Sequence, residues 1–268
     1  MGRVGNLVVL KLGGSLITFK DKPLAVNYAN IRITVRAIAA ALPLLEDARL
    51  FILHGGGSFG HYYAKKYGLS TRLQITDPKH VSVITGAMMD LHSIVLKEML
   101  KAKVPCMTIL PSQILTESGA ALSSGGEKYL EALFDSGLVP ITFGNVHVSK
   151  KGSRIVSGDR LALAVVKSFG KQNSRVVFGM DVDGIFPDEK MEGAIIDELS
   201  ERSDVRSELR HFDVTGGISS KIQTGLELSR CGADVFFVNG SKPARLKAAL
   251  EGRRNVKGTK IYSHKEGF

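Results

Sequence analysis

The sequence predicts an α/β fold, a three-layer αβα sandwich in which helices cover both faces of a mainly parallel, open β-sheet. Three observations lead to this prediction. Short runs rich in Val, Ile and Leu recur along the 268 residues, as expected of strands buried on both faces. Segments of helical length separate these runs, and glycine- or aspartate-rich turns follow several of them. The sequence contains no repeat, low-complexity tract or linker, so we expect a single domain over residues 1–268.

The elements follow from the hydrophobic pattern in chain order. Six apolar runs are predicted as strands: Leu7–Leu12, Leu50–Leu53, Pro105–Leu110, Val139–Phe143, Val176–Phe178 and Val235–Val238. Six segments are predicted as helices: Tyr28–Leu45, Pro78–Lys101, Glu127–Asp135, Leu161–Phe169, Ile218–Arg230 and Pro243–Glu251. The segment His147–Val156 predicts a β-hairpin with Lys151 and Gly152 at its tip, placed where it could overhang a site. Ligands of open parallel sheets bind at the carboxyl ends of strands, so the turns there are the candidate sites.

Composition narrows the class of ligand. The net charge is +10, but the basic residues are scattered and Trp is absent, which does not favour nucleic-acid binding. No apolar stretch reaches membrane-spanning length or resembles a signal peptide, and the two cysteines each adjoin an apolar run. We therefore expect a cytoplasmic protein with small polyanionic substrates and with no nucleic-acid or membrane partner.

The most informative stretch is the octapeptide HGGGSFGH, His54–His61, which follows a predicted strand. Glycines let main-chain N–H groups approach an anion closely, and a helix starting just beyond adds its positive dipole end. Taken alone, the same pattern is equally compatible with a glycine-rich turn that binds nothing.

Four further turns follow the other strands. KLGGS places Lys11 at the end of a buried strand before two glycines, where a lysine is costly unless it meets an anion. The segment Asp213–Lys221 combines glycines that open a helix with a lysine one turn in. In Val156–Arg160, a serine or aspartate either caps the next helix or takes part in chemistry. The aspartates of Asp181–Phe186 suit either magnesium binding or ordinary turn chemistry.

Glycine-lined turns and distant lysines match what phosphoryl transfer requires, namely positioning of phosphates and neutralisation of developing charge. The sequence lacks a Walker A loop, a GxGxxG motif and protein-kinase signatures. A Ser-His-Asp hydrolase is disfavoured because Ser58 lacks a GxSxG elbow, and zinc because the histidines lack ligand spacing.

The set KLGGS, HGGGSFGH, SGD, DVDGIF and DVTGG with Lys221 resembles the amino acid kinase superfamily, in order and spacing, over essentially the whole chain. HGGGSFGH is similar to the signature of the isopentenyl phosphate kinase family within it. The resemblance implies the carbamate kinase-like fold, usually as a homodimer, and ATP with Mg²⁺ for phosphorylation of isopentenyl phosphate to isopentenyl diphosphate. It also implies acceptor binding mainly in the N-terminal part and nucleotide binding mainly in the C-terminal part.

The resemblance further implies roles for individual residues. Lys11 and Lys221 would hold the transferring phosphoryl group, Lys20 would stabilise transition-state charge, and Asp159 would orient the lysines. ATP phosphates would contact Gly13, Gly14, Ser15, Gly57, Gly216 and Gly217, while Asp181 and Gly184 would lie toward the nucleoside. The acceptor phosphate would contact Gly56, His61, Gly144, Ser157 and Gly158. No protein side chain is expected to form a metal site of its own.

Three positions depart from the family pattern: Met180, Arg160 and Asn145 stand where Thr, an acidic residue and Asp are frequent. Rival functions are a fosfomycin-kinase-like enzyme for another small phosphate or phosphonate, and a nucleotide sensor without turnover. Nucleic-acid binding rests on charge alone.

Overall fold

The structure is a computed structural model that describes residues 6–45, 48–70, 73–169, 174–187, 193–200, 217–253 and 255–262. Its strands are β1 Asn6–Leu12, β2 Ala48–His54, β3 Gln74–Ile75, β4 Cys106–Thr108, β5 Val139–Phe143, β6 Asn145–Ser149, β7 Gly152–Val156, β8 Ser174–Met180, β9 Glu198–Ser200, β10 Ala233–Asn239 and β11 Thr259–Tyr262. Its α-helices are α1 Gly14–Ile17, α2 Tyr28–Ala41, α3 Gly57–Lys66, α4 Pro78–Lys101, α5 Pro111–Ile114, α6 Ser124–Asp135, α7 Gly158–Phe169, α8 Gly217–Arg230 and α9 Pro243–Glu251.

The central sheet has eight strands in the order β4-β5-β2-β1-β8-β10-β11-β9. Every neighbouring pair is parallel except β10 and β11, which are antiparallel. The predicted hairpin is present as β6 and β7, and with β3 it forms a separate antiparallel sheet of three strands. The mainly parallel open sheet is therefore confirmed.

The two faces of the sheet bury two separate clusters. In β1, Val8, Leu10 and Leu12 point to the cluster formed with α2, α4 and α9. Leu7 and Val9 point to the other cluster, formed with α6, α7 and α8. Because side chains alternate along a strand, this arrangement explains why the central strands are apolar throughout, and it confirms the three-layer sandwich.

Where the structure shifts predicted boundaries, proline and capping residues account for most of the difference. The first long helix ends at Ala41 and continues as a 3₁₀ turn, Leu42–Leu44, since Pro43 cannot donate the next helical hydrogen bond. Helix α6 begins three residues earlier than predicted because Ser123 accepts a hydrogen bond from the Gly126 amide at 3.0 Å and caps it. The short elements α1, α5, β3, β9 and β11 were not predicted, since none is long enough to show a period.

Candidate active site

The candidate site lies at the carboxyl edge of the central strands. Strands β1, β2 and β8 lie side by side and in register, so the turns that follow Leu12, His54 and Met180 meet at one edge. The KLGGS turn continues into α1, and the HGGGSFGH turn continues into α3, which begins inside the octapeptide at Gly57. Two of the predicted glycine-rich turns thus share one location.

Glycine is required at the contact between these two turns. A Cβ on Gly14 would lie 2.3 Å from the Gly57 nitrogen, and a Cβ on Gly55 would lie 3.0 Å from the Gly14 nitrogen. Gly57 also has a φ of +47°, a conformation that L side chains rarely adopt. The Thr18 hydroxyl joins the turns further, since it donates to the Gly14 carbonyl at 2.8 Å and accepts from the Ser58 amide at 2.9 Å. The backbone of the site is therefore fixed by main-chain packing.

Lys11 forms the buried charged centre of the site. Its side chain lies on the face of β1 that α7 and α8 cover, and the residue is only 5% exposed. The Lys11 ammonium donates to the Asp159 carboxylate near the start of α7 and lies 5.5 Å from the centre of the Phe178 ring. A Cβ on Gly158 would lie 3.3 Å from the Lys11 Cε atom, so the lysine stem packs against that backbone. Asp159 neutralises a charge that burial would otherwise penalise.

A second lysine and aspartate lie at the more open side. The Lys20 ammonium is 3.2 Å from Asp181 Oδ2, and the Ser15 hydroxyl donates to Asp181 Oδ1 at 2.7 Å. The pKa of Asp181 is lowered: burial opposes the shift, and it is outweighed by the hydrogen bond from Ser15 and the charge and hydrogen bond of Lys20. Asp181 therefore remains a carboxylate that holds both partners.

Lys221 and His61 are two further titratable residues of the candidate site. The pKa of Lys221 is lowered by burial and by the positive charges of Lys11 and Lys20, while Asp159 and Asp181 oppose the shift. The pKa of His61 is lowered by partial burial, then by Lys221 and Lys11, although the residue as a whole remains exposed at the rim. Electrostatic coupling weakens with distance, so these couplings indicate that the three lysines and His61 lie near one another although they are remote in sequence. We refer to this region at the carboxyl edge of the sheet as the cleft.

The predicted acceptor glycines lie along the same edge. The Gly144 amide donates to the His54 carbonyl at 3.0 Å, and a Cβ on Gly144 would lie 3.2 Å from the Gly158 nitrogen. Ser157 caps α7, since its hydroxyl accepts from the Arg160 amide at 3.3 Å. Helix capping at Ser157 thus coexists with the position of Asp159 beside Lys11.

Not every predicted site residue takes the expected position. The Gly13 amide donates to the Gly179 carbonyl at 2.8 Å, so Gly13 contributes close packing while its N–H is already engaged. Gly184 is buried against Thr259 of β11, where a Cβ would lie 2.8 Å from the Thr259 hydroxyl. Gly217 is the first residue of α8. Gly216 and the preceding Asp213 lie outside the described residues.

The sequence prediction missed two features beside the cleft. The buried side chains of His54 and His92 form a hydrogen-bonded series with the half-buried Thr108 behind the HGGGSFGH turn. Asp183 contacts Asn239, Arg245 and Lys257 at 3.0, 2.7 and 3.1 Å, and these contacts, led by Asn239, lower its pKa to about 2. His54 could have been singled out, since a histidine that ends a buried strand needs partners. Asp183 lies in a turn that the sequence does single out, but its partners, like His92 and Thr108, carry no local signal.

No group of three or more His, Cys, Asp or Glu side chains within the described ranges is arranged to hold a metal ion. The carboxylates in the cleft already contact lysines. In the part of the chain that the structure covers, no helix is both long and apolar enough to cross a membrane.

A cluster of lysines and glycine-rich turns at the carboxyl edge of a mainly parallel sheet is suited to binding phosphate groups. Residues 6–239 match the sequence pattern described as the Amino acid kinase family. The chain therefore belongs to the amino acid kinase family.

Similar proteins within that family carry a more specific name. The isopentenyl phosphate kinase of Haloferax volcanii is 34% identical over 255 residues, which cover 89% of this chain and 97% of that protein. The isopentenyl phosphate kinase of Methanothermobacter thermautotrophicus is 28% identical, with coverage of 95% and 98%. A solved structure of an isopentenyl phosphate kinase is 25% identical, has a TM-score of 0.77, and is matched over 95% of this chain and 100% of its own. The acetylglutamate kinase of Dehalococcoides mccartyi is 25% identical over 266 residues.

Proposed function

We propose that this protein transfers the γ-phosphoryl group of ATP to isopentenyl phosphate and so forms isopentenyl diphosphate. The observation that supports this proposal is the electrostatic coupling of His61 with Lys221 and Lys11, beside the contact between two glycine-rich turns. The similarity to isopentenyl phosphate kinases over nearly the whole chain supports the choice of acceptor.

The charge distribution suits two facing anions. Lys11 and Lys20 each lower the pKa of Lys221, which means that the ammonium groups repel one another in the free protein. Bound phosphates would relieve this repulsion, and the charge that builds on the transferring group would be stabilised by the same ammonium groups. Asp159 and Asp181 fix the directions of Lys11 and Lys20. The lysines would therefore act on the transferring phosphoryl group, with little reorganisation during the reaction.

His61 is suited to hold the acceptor. Its lowered pKa favours a neutral imidazole at pH 7, which still has one N–H to donate to a phosphate oxygen. The acceptor phosphate is already ionised, so the reaction needs no general base. We therefore assign His61 to positioning of the acceptor phosphate, next to the Gly56 and Gly144 turns.

Apolar side chains adjoin the HGGGSFGH turn, which we refer to as the acceptor turn. The Met88 sulphur would lie 3.1 Å from a Cβ on Gly56, and Met88, Leu91 and Val146 belong to one buried cluster. Ile155, on the neighbouring hairpin strand, packs against the same cluster. We propose that the hydrocarbon tail lies on this apolar side of the turn, which would suit an isoprenoid acceptor better than fosfomycin or another polar phosphonate.

ATP in such reactions carries Mg²⁺, and the fit of this ion can be judged from the carboxylates in the cleft. Asp181 accepts from Ser15 and contacts Lys20, and Asp159 contacts Lys11, so neither is available to form a metal cage. We propose that the ion is held by the nucleotide phosphates, where it neutralises phosphate charge.

A coupled assay of ADP release tests the function. The purified protein is supplied with ATP and, separately, isopentenyl phosphate, dimethylallyl phosphate, geranyl phosphate and fosfomycin. We expect the highest kcat/KM with isopentenyl phosphate and little turnover with fosfomycin. A preference for fosfomycin would favour the phosphonate-kinase alternative, and absence of ADP release with every acceptor would favour a nucleotide sensor.

The proposal also covers the oligomeric state, the cellular location and the roles of the two parts of the chain. We propose that the chain acts as a cytoplasmic homodimer, with acceptor contacts mainly from the N-terminal part and nucleotide contacts mainly from the C-terminal part. Light scattering on the purified protein tests the dimer, and a monomeric mass would contradict it.

A further inference from the structure

A series of hydrogen-bonded side chains connects the acceptor turn with β4, the edge strand of the central sheet. His54 Nδ1 lies 3.1 Å from the Gly55 carbonyl oxygen, His54 Nε2 lies 3.1 Å from His92 Nδ1, and His92 Nε2 lies 2.8 Å from the Thr108 hydroxyl. His54 and His92 are 0% and 2% exposed. The two imidazole rings are inclined by only 14° to each other, and both stack against Phe143, so their planes are fixed.

The direction of each hydrogen bond follows from the Gly55 carbonyl, at which the series ends. The Gly55 carbonyl can only accept, so His54 Nδ1 must carry the proton and donate to it. His54 Nε2 must then accept, which requires His92 Nδ1 to donate and leaves His92 Nε2 to accept from the Thr108 hydroxyl. When both rings are neutral, only this arrangement of protons satisfies every partner. Burial, the largest cause, lowers the pKa of His54 to about 3 and that of His92 to about 4, which agrees with this neutral state.

This arrangement acts on the backbone of the acceptor turn. The Gly55 carbonyl and the Gly56 N–H belong to the same trans peptide unit, in which the two groups point in opposite directions. His54 lies on the α4 face of the sheet, under the turn, and holds the Gly55 carbonyl toward the interior. The Gly56 N–H therefore points out of the interior, and within the described residues it donates to no protein acceptor.

We propose that the series Thr108, His92 and His54 positions the Gly56 amide as a donor to the acceptor phosphate. These three are positioning residues, since none of them touches substrate. The inference deepens the proposed function, on which it rests for the identity of the phosphate. Loss of the series would let the Gly55–Gly56 peptide rotate and would weaken binding of the acceptor. ATP binding and the lysines would be unaffected.

A matched pair of substitutions tests the proposal. Thr108→Val removes the donor to His92, while Thr142→Val makes the same change on the neighbouring strand at a buried hydroxyl without a hydrogen-bond partner among the described residues. We expect Thr108→Val to raise the KM for isopentenyl phosphate about tenfold, with kcat and the KM for ATP within about twofold of wild type. Thr142→Val should leave all three unchanged. Equal effects of the two substitutions, or a fall in kcat alone, would overturn the proposal.

Substitution of His54 provides a second test, in which an Asn side chain restores the hydrogen bond that a Leu side chain removes. His54→Leu removes the donor to the Gly55 carbonyl, whereas an Asn side chain places an N–H close to the position of Nδ1. We expect His54→Asn to recover a lower acceptor KM than His54→Leu. If His54→Leu does not fold, the comparison of Thr108→Val with Thr142→Val decides the outcome.

An NMR measurement separates this proposal from the proposed function. In ¹⁵N-histidine-labelled protein at pH 7, we expect both rings to be neutral and protonated at Nδ1, and the Gly56 amide signal to shift with added inorganic phosphate. These results without any turnover of isopentenyl phosphate would contradict the function and retain the positioning series. Mixed tautomers, or a Gly56 signal insensitive to phosphate, would overturn the series whatever the activity.

Discussion

The buried imidazoles of His54 and His92 make acidification the most informative perturbation of stability. Each pKa is lowered in the folded protein, to about 3 and about 4, from an ordinary value of 6.5. Below pH 6.5 these two histidines therefore bind protons in the unfolded chain but not in the folded chain. The stability that the two neutral imidazoles contribute is fully present above pH 6.5, and it is lost as the pH falls from 6.5 toward 4 for His92 and toward 3 for His54.

The size of this loss follows from the two shifts. Between pH 7 and pH 5 each site in the unfolded chain becomes almost fully protonated, while each folded site remains largely neutral. At about 1.4 kcal/mol per proton and pH unit, the two sites together remove about 4 kcal/mol of unfolding free energy over this interval. That is a large fraction of the stability of a typical domain.

Urea denaturation at pH 7, 6 and 5 measures this loss. His92→Gln removes one of the two sites and should reduce the loss between pH 7 and pH 5 by about 2 kcal/mol relative to wild type. His80→Gln is the control, since His80 lies near the start of the same helix with its side chain 31% exposed, and this variant should retain the full loss. The reasoning is refuted if His92→Gln and wild type lose the same free energy between these pH values.

Three substitutions in the cleft give further predictions. His61→Ala should raise the KM for isopentenyl phosphate and lower kcat/KM about a hundredfold, because it removes a hydrogen bond to a charged acceptor; steady-state kinetics with an unchanged acceptor KM would contradict this. Lys221→Ala should lower kcat by about a hundredfold or more in single-turnover measurements, while near-normal turnover would remove Lys221 from the chemical step. Gly14→Ala should lower the unfolding free energy by about 2 kcal/mol or more, since its Cβ would lie 2.3 Å from the Gly57 nitrogen; an unchanged urea midpoint would show that the two turns separate easily.

Much of the fold could be predicted because the central strands are buried on both faces. Their apolar runs are continuous, and the boundaries of α4 and α9 coincide with those predicted, each beginning at a proline that suits the first helical turn. Strand β11, which lies between β10 and β9 and is antiparallel to β10, could not be predicted. Its four residues alternate in burial, and their pairing with β10 and β9 is a tertiary contact with no local signal.

The candidate site, like the fold, could be predicted from the sequence only in part. The glycine-rich turns and Lys11 were found because a glycine cluster or a lysine at a strand end is unusual on local grounds. The contacts of Asp181 with Ser15 and Lys20, and the series through His92 and Thr108, depend on packing between remote segments. Such pairings become visible only when the chain is folded.

The central claim is that this protein transfers the γ-phosphoryl group of ATP to the phosphate of isopentenyl phosphate. A ³¹P NMR spectrum of the protein with isopentenyl phosphate and ATP labelled with ¹⁸O on the γ-phosphate tests it most directly. The account predicts ADP and isopentenyl diphosphate whose terminal phosphorus carries the ¹⁸O label. Release of labelled inorganic phosphate, with isopentenyl phosphate unchanged, would contradict it.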